Sequence, residues 1–421
     1  MYRGRGGNYR GGGPGNGRGI QGDVWYSPHN QAPRDAYHAS GHQYQGGASN
    51  NRIDNTRHGG GSDQEVLICK HHAINDRCRF GPKCLYKHNL KRILLLPEIC
   101  RSGVNCLTFF RMGDSTLEMF ASGQGTGVKR LSLAADITGG VSLKKQDSFN
   151  LDINQVVGKE SSSRDRRGPP QLIFSLRCIN DCLFAGIKTG HISVFHIPTE
   201  TSTLLYGHTN PVKDIILIDN AVISACDAGK ICIWSFDAAL NSFKCVNSLE
   251  TKCVIECLVE VSDGVNRQLW AGGNAITVID LSTLSVVRSM PVPNRDLVKK
   301  MVCYGQHVIV ALWSGDCVVL SPNGDVAYQS GGYGPDLTSM DGLQTEKGDL
   351  LLLGSESGSL NVIGLPAFQL EGVLPFKFDI PRGAKWRGIS VIASLGGGLF
   401  AVACYEGNIH LFRSIGDQKN A

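Results

Sequence analysis

With 421 residues, 42% of them hydrophobic, the chain is long enough for two or three structural units and a sizeable core, and no apolar run is long enough to span a bilayer. Fifteen cysteines could suit a disulfide scaffold, but most stand singly in apolar runs such as Val302-Cys303-Tyr304 and Ala403-Cys404-Tyr405, which points to reduced thiols in an intracellular, nuclear or cytoplasmic, protein. The net charge of +5 is uneven: residues 1–92 carry 14 Lys/Arg against 6 Asp/Glu, a balance of +8, so a polyanionic partner is expected at that end of the chain.

The first stretch, MYRGRGGNYRGGG, lacks the apolar core of a secretory signal. Residues 1–22 hold ten glycines and four arginines, with Arg-Gly-Gly at 5–7 and again at 10–12. Such a segment cannot bury enough surface to offset its ordering entropy, so residues 1–62 are expected to form a disordered arm. Guanidinium groups such as Arg5 and Arg10 suit loose contact with single-stranded nucleic acid. A flexible solubilising tail is the plainer alternative.

Residues 63–91 contain Cys69, Cys78, Cys84 and His88, spaced C-x8-C-x5-C-x3-H. Three thiolates and an imidazole are the donor set of a closed, tetrahedral structural zinc site, and so short a segment has no other means of folding. Phe80 and Tyr86 sit among the ligands with Lys70, Arg77, Arg79, Lys83 and Lys87 around them, so rings and cations could hold an unpaired base and its phosphate together. The stretch RCRFGPKCLYKH resembles the CCCH zinc-finger family. That resemblance implies a zinc ion on the four ligands and single-stranded RNA stacked on Phe80 and Tyr86. The glycine often found before the second cysteine in that family is absent, which leaves any left-handed turn to Asn75 or Asp76. His71 and His72 follow Cys69 too closely for the usual ligand geometry. A purely structural, protein-binding finger is the alternative reading.

From residue 92 to 415 short β-rich runs alternate with Gly, Asp, Asn and Ser turns. Turn residues before the third strand of each group fall at 127, 190, 229, 274, 315, 358 and 407, and after the first gap the spacings are 39, 45, 41, 43 and 49. This is the period of a propeller blade, and seven units predict an all-β, seven-bladed ring. The first gap of 63 is taken up by a charged, proline-bearing insertion, residues 157–170, expected as a rim loop. The segment Arg92-Ile93-Leu94-Leu95-Leu96 is expected to supply the fourth strand of the last blade and close the ring. Residues 416–421 form a short tail.

One unit carries Gly207-His208 ahead of its strands and ends at Ile231-Cys232-Ile233-Trp234, which resembles the WD40 repeat family in a degenerate form. In that family a His, a strand Ser, a turn Asp and the Trp form a buried hydrogen-bond chain. Here the turn-Asp position holds Ala228, Asp227 lies one residue early, and Ser224 is the nearest hydroxyl. The combination of finger and repeats is similar to the plant ZFWD-type zinc-finger/WD40 group. No catalytic motif is present: no P-loop, nucleophile elbow or His-Glu-x-x-His occurs, so an enzyme is not expected. The favoured expectation is an RNA-binding adaptor whose arm and finger contact single-stranded RNA while the propeller recruits protein partners. A protein-interaction scaffold, such as a ubiquitin-ligase substrate receptor with a structural finger, is the alternative. Duplex DNA ranks last, because one such finger has no long recognition helix.

Overall fold

Repeated runs of four to nine residues, apolar on both faces in their middle members, build seven four-stranded antiparallel sheets in a computed structural model of the chain. The structure describes residues 66–415 apart from 101–102, 113–115, 124–126, 136–139, 150–171, 263–265, 331–332, 334–335 and 377–387. The expected arm with Arg5 and Arg10, the 157–170 insertion and the tail lie outside the described residues.

Strand β1 (Leu90–Leu96) follows the finger. Blade 1 is β2 (Val104–Met112), β3 (Thr116–Gly123), β4 (Val128–Ala135) and β5 (Val141–Phe149). Blade 2 is β6 (Ile173–Ile179), β7 (Cys182–Ile187), β8 (His191–His196) and β9 (Thr201–Tyr206). Blade 3 is β10 (Val212–Ile218), β11 (Ala221–Cys226), β12 (Lys230–Asp237) and β13 (Ser242–Glu250). Blade 4 is β14 (Ile255–Ser262), β15 (Arg267–Gly273), β16 (Ala275–Asp280) and β17 (Ser285–Pro291). Blade 5 is β18 (Val298–Tyr304), β19 (His307–Leu312), β20 (Cys317–Leu320) and β21 (Val326–Ser330). Blade 6 is β22 (Leu337–Thr345), β23 (Gly348–Ser355), β24 (Ser359–Gly364) and β25 (Gln369–Pro375). Blade 7 contributes β26 (Ile389–Gly396), β27 (Leu399–Cys404) and β28 (Ile409–Ser414).

The core is not one mass but seven apolar clusters, each shared by two neighbouring blades. Blade stacking buries both faces of the second and third strands, which explains their unbroken apolar character. Leu183, Phe184 and Ala185 in β7 are all fully buried. The outer strands stay wet: β13 and β17 expose residue after residue. Each fully buried Leu, Ile or Phe contributes about 1.5–3 kcal/mol, so every blade junction holds its neighbours strongly.

Leu90, Arg92 and Leu94 to Leu96 pair antiparallel with Ser414, Phe412 and Leu411 to Ile409, so β1 completes blade 7 as expected and covers the edge of β28. The third strands begin at or just after the expected turn residues. Gly229 takes φ 87°, and a Cβ there would lie 2.5 Å from Cys253 O. At the seam, Gly407 receives the Ile99 N–H at 2.9 Å, and a Cβ on it would meet Cys100 O.

A bulge recurs at the second residue of every innermost strand, β2, β6, β10, β14, β18, β22 and β26. The repeat places Asn105, Phe174, Lys213, Glu256, Lys299, Thr338 and Ser390 in equivalent positions around one mouth of the central channel.

Candidate functional site

Cys69 ends an extended segment and caps α1 (Lys70–Asn75), whose last turn is closed by Asp76 at φ 53°. Asp76 is therefore the residue that takes the left-handed turn in place of glycine. A 3₁₀ turn at Gly81–Lys83 carries the chain to Cys84, with Cys84 N–H donating to Gly81 O at 3.1 Å. The two ends of the finger are clamped: Cys69 N–H donates to Lys87 O at 2.8 Å, and Lys87 N–H to Leu67 O at 3.0 Å. These local bonds bring one ligand atom each from Cys69, Cys78, Cys84 and His88 to within 4.8 Å of one another. Tetrahedral zinc at about 2.3 Å from each sulfur needs ligand separations of about 3.8 Å, so the donor set and its spacing fit a closed metal site.

The thiols differ. Burial pushes Cys69 up to about 11. For Cys78 burial acts upward too, but backbone N–H groups at Phe80 and Gly81 and the two neighbouring thiols outweigh it and hold the group below its ordinary value. Metal loading must therefore expel the Cys69 proton against that burial. The His72 ring stacks on His88 at 4.3 Å and 9°, which fixes the ligand imidazole. Burial holds the His72 pKa below its usual value, so this ring is a neutral packing partner.

The finger is bonded to the propeller. Ile68 N–H donates to Val373 O and Val373 N–H to Val66 O, both at 2.9 Å, so residues 66–68 extend blade 6 at β25. Ile68, Ala73 and Leu90 belong to the apolar cluster between blades 6 and 7. Gly372 permits the contact, since a Cβ there would lie 2.5 Å from the Ile68 side chain. Lys87 Nζ pairs with Glu371 at 2.7 Å. Of the finger residues expected to meet nucleic acid, Phe80 is 57% and Tyr86 48% exposed. Lys70, Arg77, Arg79 and Lys83 are exposed as well. The Arg79 guanidinium lies over the Phe80 ring at 5.2 Å. Lys87 differs from them, being half-buried against the propeller.

Blade 3 carries the polar chain expected there in part. Trp234 Nε1–H donates to Ser224 Oγ at 2.8 Å, and Ser224 Oγ is 2.7 Å from His208 Nε2. His208 Nδ1 faces Cys232 Sγ at 3.9 Å. Burial lowers the His208 pKa to about 4, so the ring is neutral. Between pH 6.5 and 4 the unfolded histidine binds a proton that the folded one refuses. Stability linked to His208 is thus full above pH 6.5 and falls as pH drops to 4, by about 3 kcal/mol. The loss of stability between pH 7 and pH 4 should shrink by about that much in His208→Gln, measured by urea unfolding.

The channel mouth was not legible beforehand. Lys213 Nζ lies 5.0 Å above the Phe174 ring, and Lys299 Nζ lies 5.2 Å from the Trp313 ring. Glu256 joins the two lysines at 3.3 Å and 3.6 Å. Burial would raise the Glu256 pKa, but Lys299 and Lys213 outweigh it and hold it low. A ring–cation–anion–cation–ring chain therefore crosses blades 2 to 5 at one mouth. Phe174 is 37% and Trp313 38% exposed.

No protein-family model matches the chain, and no curated protein matches it. Among solved structures, the WD40 β-propeller domain of Doa1 is similar at a TM-score of 0.57 and 14% identity, over 78% of this chain and 98% of that one. A chain of the mitotic checkpoint complex gives 0.56 and 15%, over 77% and 96%. The described residues form a seven-bladed propeller with the fold of the Doa1 WD40 domain, and they carry a Cys₃His cluster able to hold a metal ion. Among them, no helix is long and apolar enough to cross a membrane.

Proposed function

We propose that the chain is a protein-interaction scaffold whose binding surface is the Phe174–Lys213–Glu256–Lys299–Trp313 mouth, with a zinc-loaded finger bracing the ring at blades 6 and 7. The carrying observation is that mouth: two half-exposed rings held by cations around a shared, largely buried carboxylate. Aromatic and charged groups pre-ordered in this way form the anchor of a protein interface, because little side-chain entropy is left to lose on binding. Zinc is the ion the donor set favours, since three thiolates and an imidazole with no open position suit a structural d¹⁰ cation. A closed site supplies rigidity rather than chemistry. Phe174→Ala combined with Trp313→Ala should reduce a defined set of co-purifying proteins by tenfold or more in quantitative mass spectrometry from cells. An unchanged set would reject the surface.

A second reading is favoured by one specific observation, the exposure of Phe80 and Tyr86 among Lys70, Arg77, Arg79 and Lys83. In that reading the finger stacks single-stranded RNA, and an RNA-bound protein is brought to the partner at the channel mouth. Stacking contributes about 1–3 kcal/mol per base, so Phe80→Ala with Tyr86→Ala should weaken single-strand RNA binding roughly tenfold or more at unchanged zinc content. Equal RNA affinity before and after the double substitution removes RNA from the account and leaves the scaffold.

A further inference from the structure

Below the mouth, the channel encloses about 730 Å³ lined by the seven innermost strands. Its charged lining includes Arg177, Lys213, Lys299 and Lys300 against Asp214, Glu256, Glu260 and Asp341. These charges balance formally, but the hydrogen bonds do not. Asp214 accepts the N–H groups of Ile215 and Leu258, both at 2.9 Å. Asp341 accepts those of Gly342 at 2.9 Å and Ser394 at 2.6 Å. Glu260 is paired with Arg267 at 2.5 Å, and Glu256 is shared by Lys213 and Lys299. Every lining carboxylate thus has donors already. The side chains of Arg177 and Lys300 make no ion pair or hydrogen bond with another described residue. Both face the lumen, Arg177 exposed to it and Lys300 half-buried.

We propose that the channel is a binding site for a small polyanion, phosphorylated or polycarboxylate, held by Arg177 and Lys300 with Lys213 and Lys299 above them. The guanidinium presents a planar fork that matches a phosphate or carboxylate, and the ammonium adds a point charge from another blade. Burial disfavours the Lys300 ammonium, but the Asp214 and Glu256 charges outweigh it and hold its pKa above the ordinary lysine value. The group is charged at neutral pH while its protons lack acceptors. A cavity of this size suits a ligand of metabolite dimensions rather than a folded partner. The site goes beyond the scaffold reading, which places protein contacts on the mouth above.

The test is isothermal titration of the full chain with inorganic tripolyphosphate and, in parallel, with citrate, at low ionic strength. A saturable site whose affinity falls tenfold or more in Arg177→Gln and in Lys300→Gln, and recovers in Lys300→Arg, is the expected result. The tighter of the two probes identifies phosphate or carboxylate as the natural group. Lysine-acylation footprinting of the unsubstituted protein adds a readout that needs no variant: tripolyphosphate or citrate should protect Lys300 and leave Lys244, exposed on the outer strand β13, reactive. Absence of saturable binding, or binding indifferent to both substitutions with Lys300 still acylated, overturns the proposal. Tripolyphosphate affinity and the co-purifying protein set are independent readouts, so failure at the mouth and failure in the channel are separately visible.

Discussion

Cys84→Ser should release the metal and lower the melting temperature of the whole propeller by roughly 10 °C. The size follows from how the finger is seated. Ile68 and Ala73 are 3% and 1% exposed and share one cluster with Leu360, Val362, Phe400 and Phe412. Releasing the finger uncovers that cluster and frees the 66–68 segment from Val373. Loss of two such apolar covers and two backbone bonds costs about 3–5 kcal/mol, and a domain of this size shifts by about 2–4 °C per kcal/mol. Metal stoichiometry by inductively coupled plasma mass spectrometry and calorimetry of both proteins provide the check. A serine variant that retains its metal, or melts with the parent, would refute the coupling between finger and ring.

A chain beginning at residue 100 should fail to give a cooperative propeller. It lacks β1, whose Leu90 and Leu96 are 0% and 2% exposed, and it leaves β28 as a bare edge. Blade 7 becomes three-stranded, and two junction clusters lose members at once. The point variant Leu90→Asp isolates the effect, since burying an unpaired carboxylate there costs about 3–5 kcal/mol or more. Near-ultraviolet circular dichroism and urea unfolding report the outcome. A fully folded fragment 100–421 would show that the ring closes without this strand.

Legibility in the sequence divided by the kind of physics involved. Turn positions such as Gly190, Gly229 and Gly358 announce themselves because they take φ of 87°, 87° and 82°, where a side chain is strained. The blade period followed from them, and so did the closing strand, because Ile93 to Leu96 is a β-rich run beside no other unpaired partner. The Cys₃His cluster was legible from spacing alone, since the finger has to fold locally. Docking of the finger was not. It depends on Gly372, Glu371 and Val373, which lie far along the chain and have no local signature. The His208–Ser224–Trp234 chain was half legible: the hydroxyl was found, while Cys232 facing the second ring nitrogen was not foreseen. Lys213, Glu256 and Lys299 escaped because each breaks the apolar pattern of its own strand by one residue. Only the bulge repeated in all seven inner strands turns those exceptions into one ring. The similar propellers bear on fold alone, so the weight between protein and RNA partners rests on exposed side chains.

The clasp of this ring is drawn from opposite ends of the chain: Leu96 pairs with Ile409, and His88 stands two residues before the strand begins. On the ribosome the first half of the clasp emerges long before its mate exists, and pairing so distant in sequence is slow. A finger that charges with metal as soon as His88 leaves the exit tunnel would keep the adjoining strand anchored to a folded nub through that wait. Cellular metal supply would then govern the yield of correctly sealed rings at birth as well as the durability of rings already made.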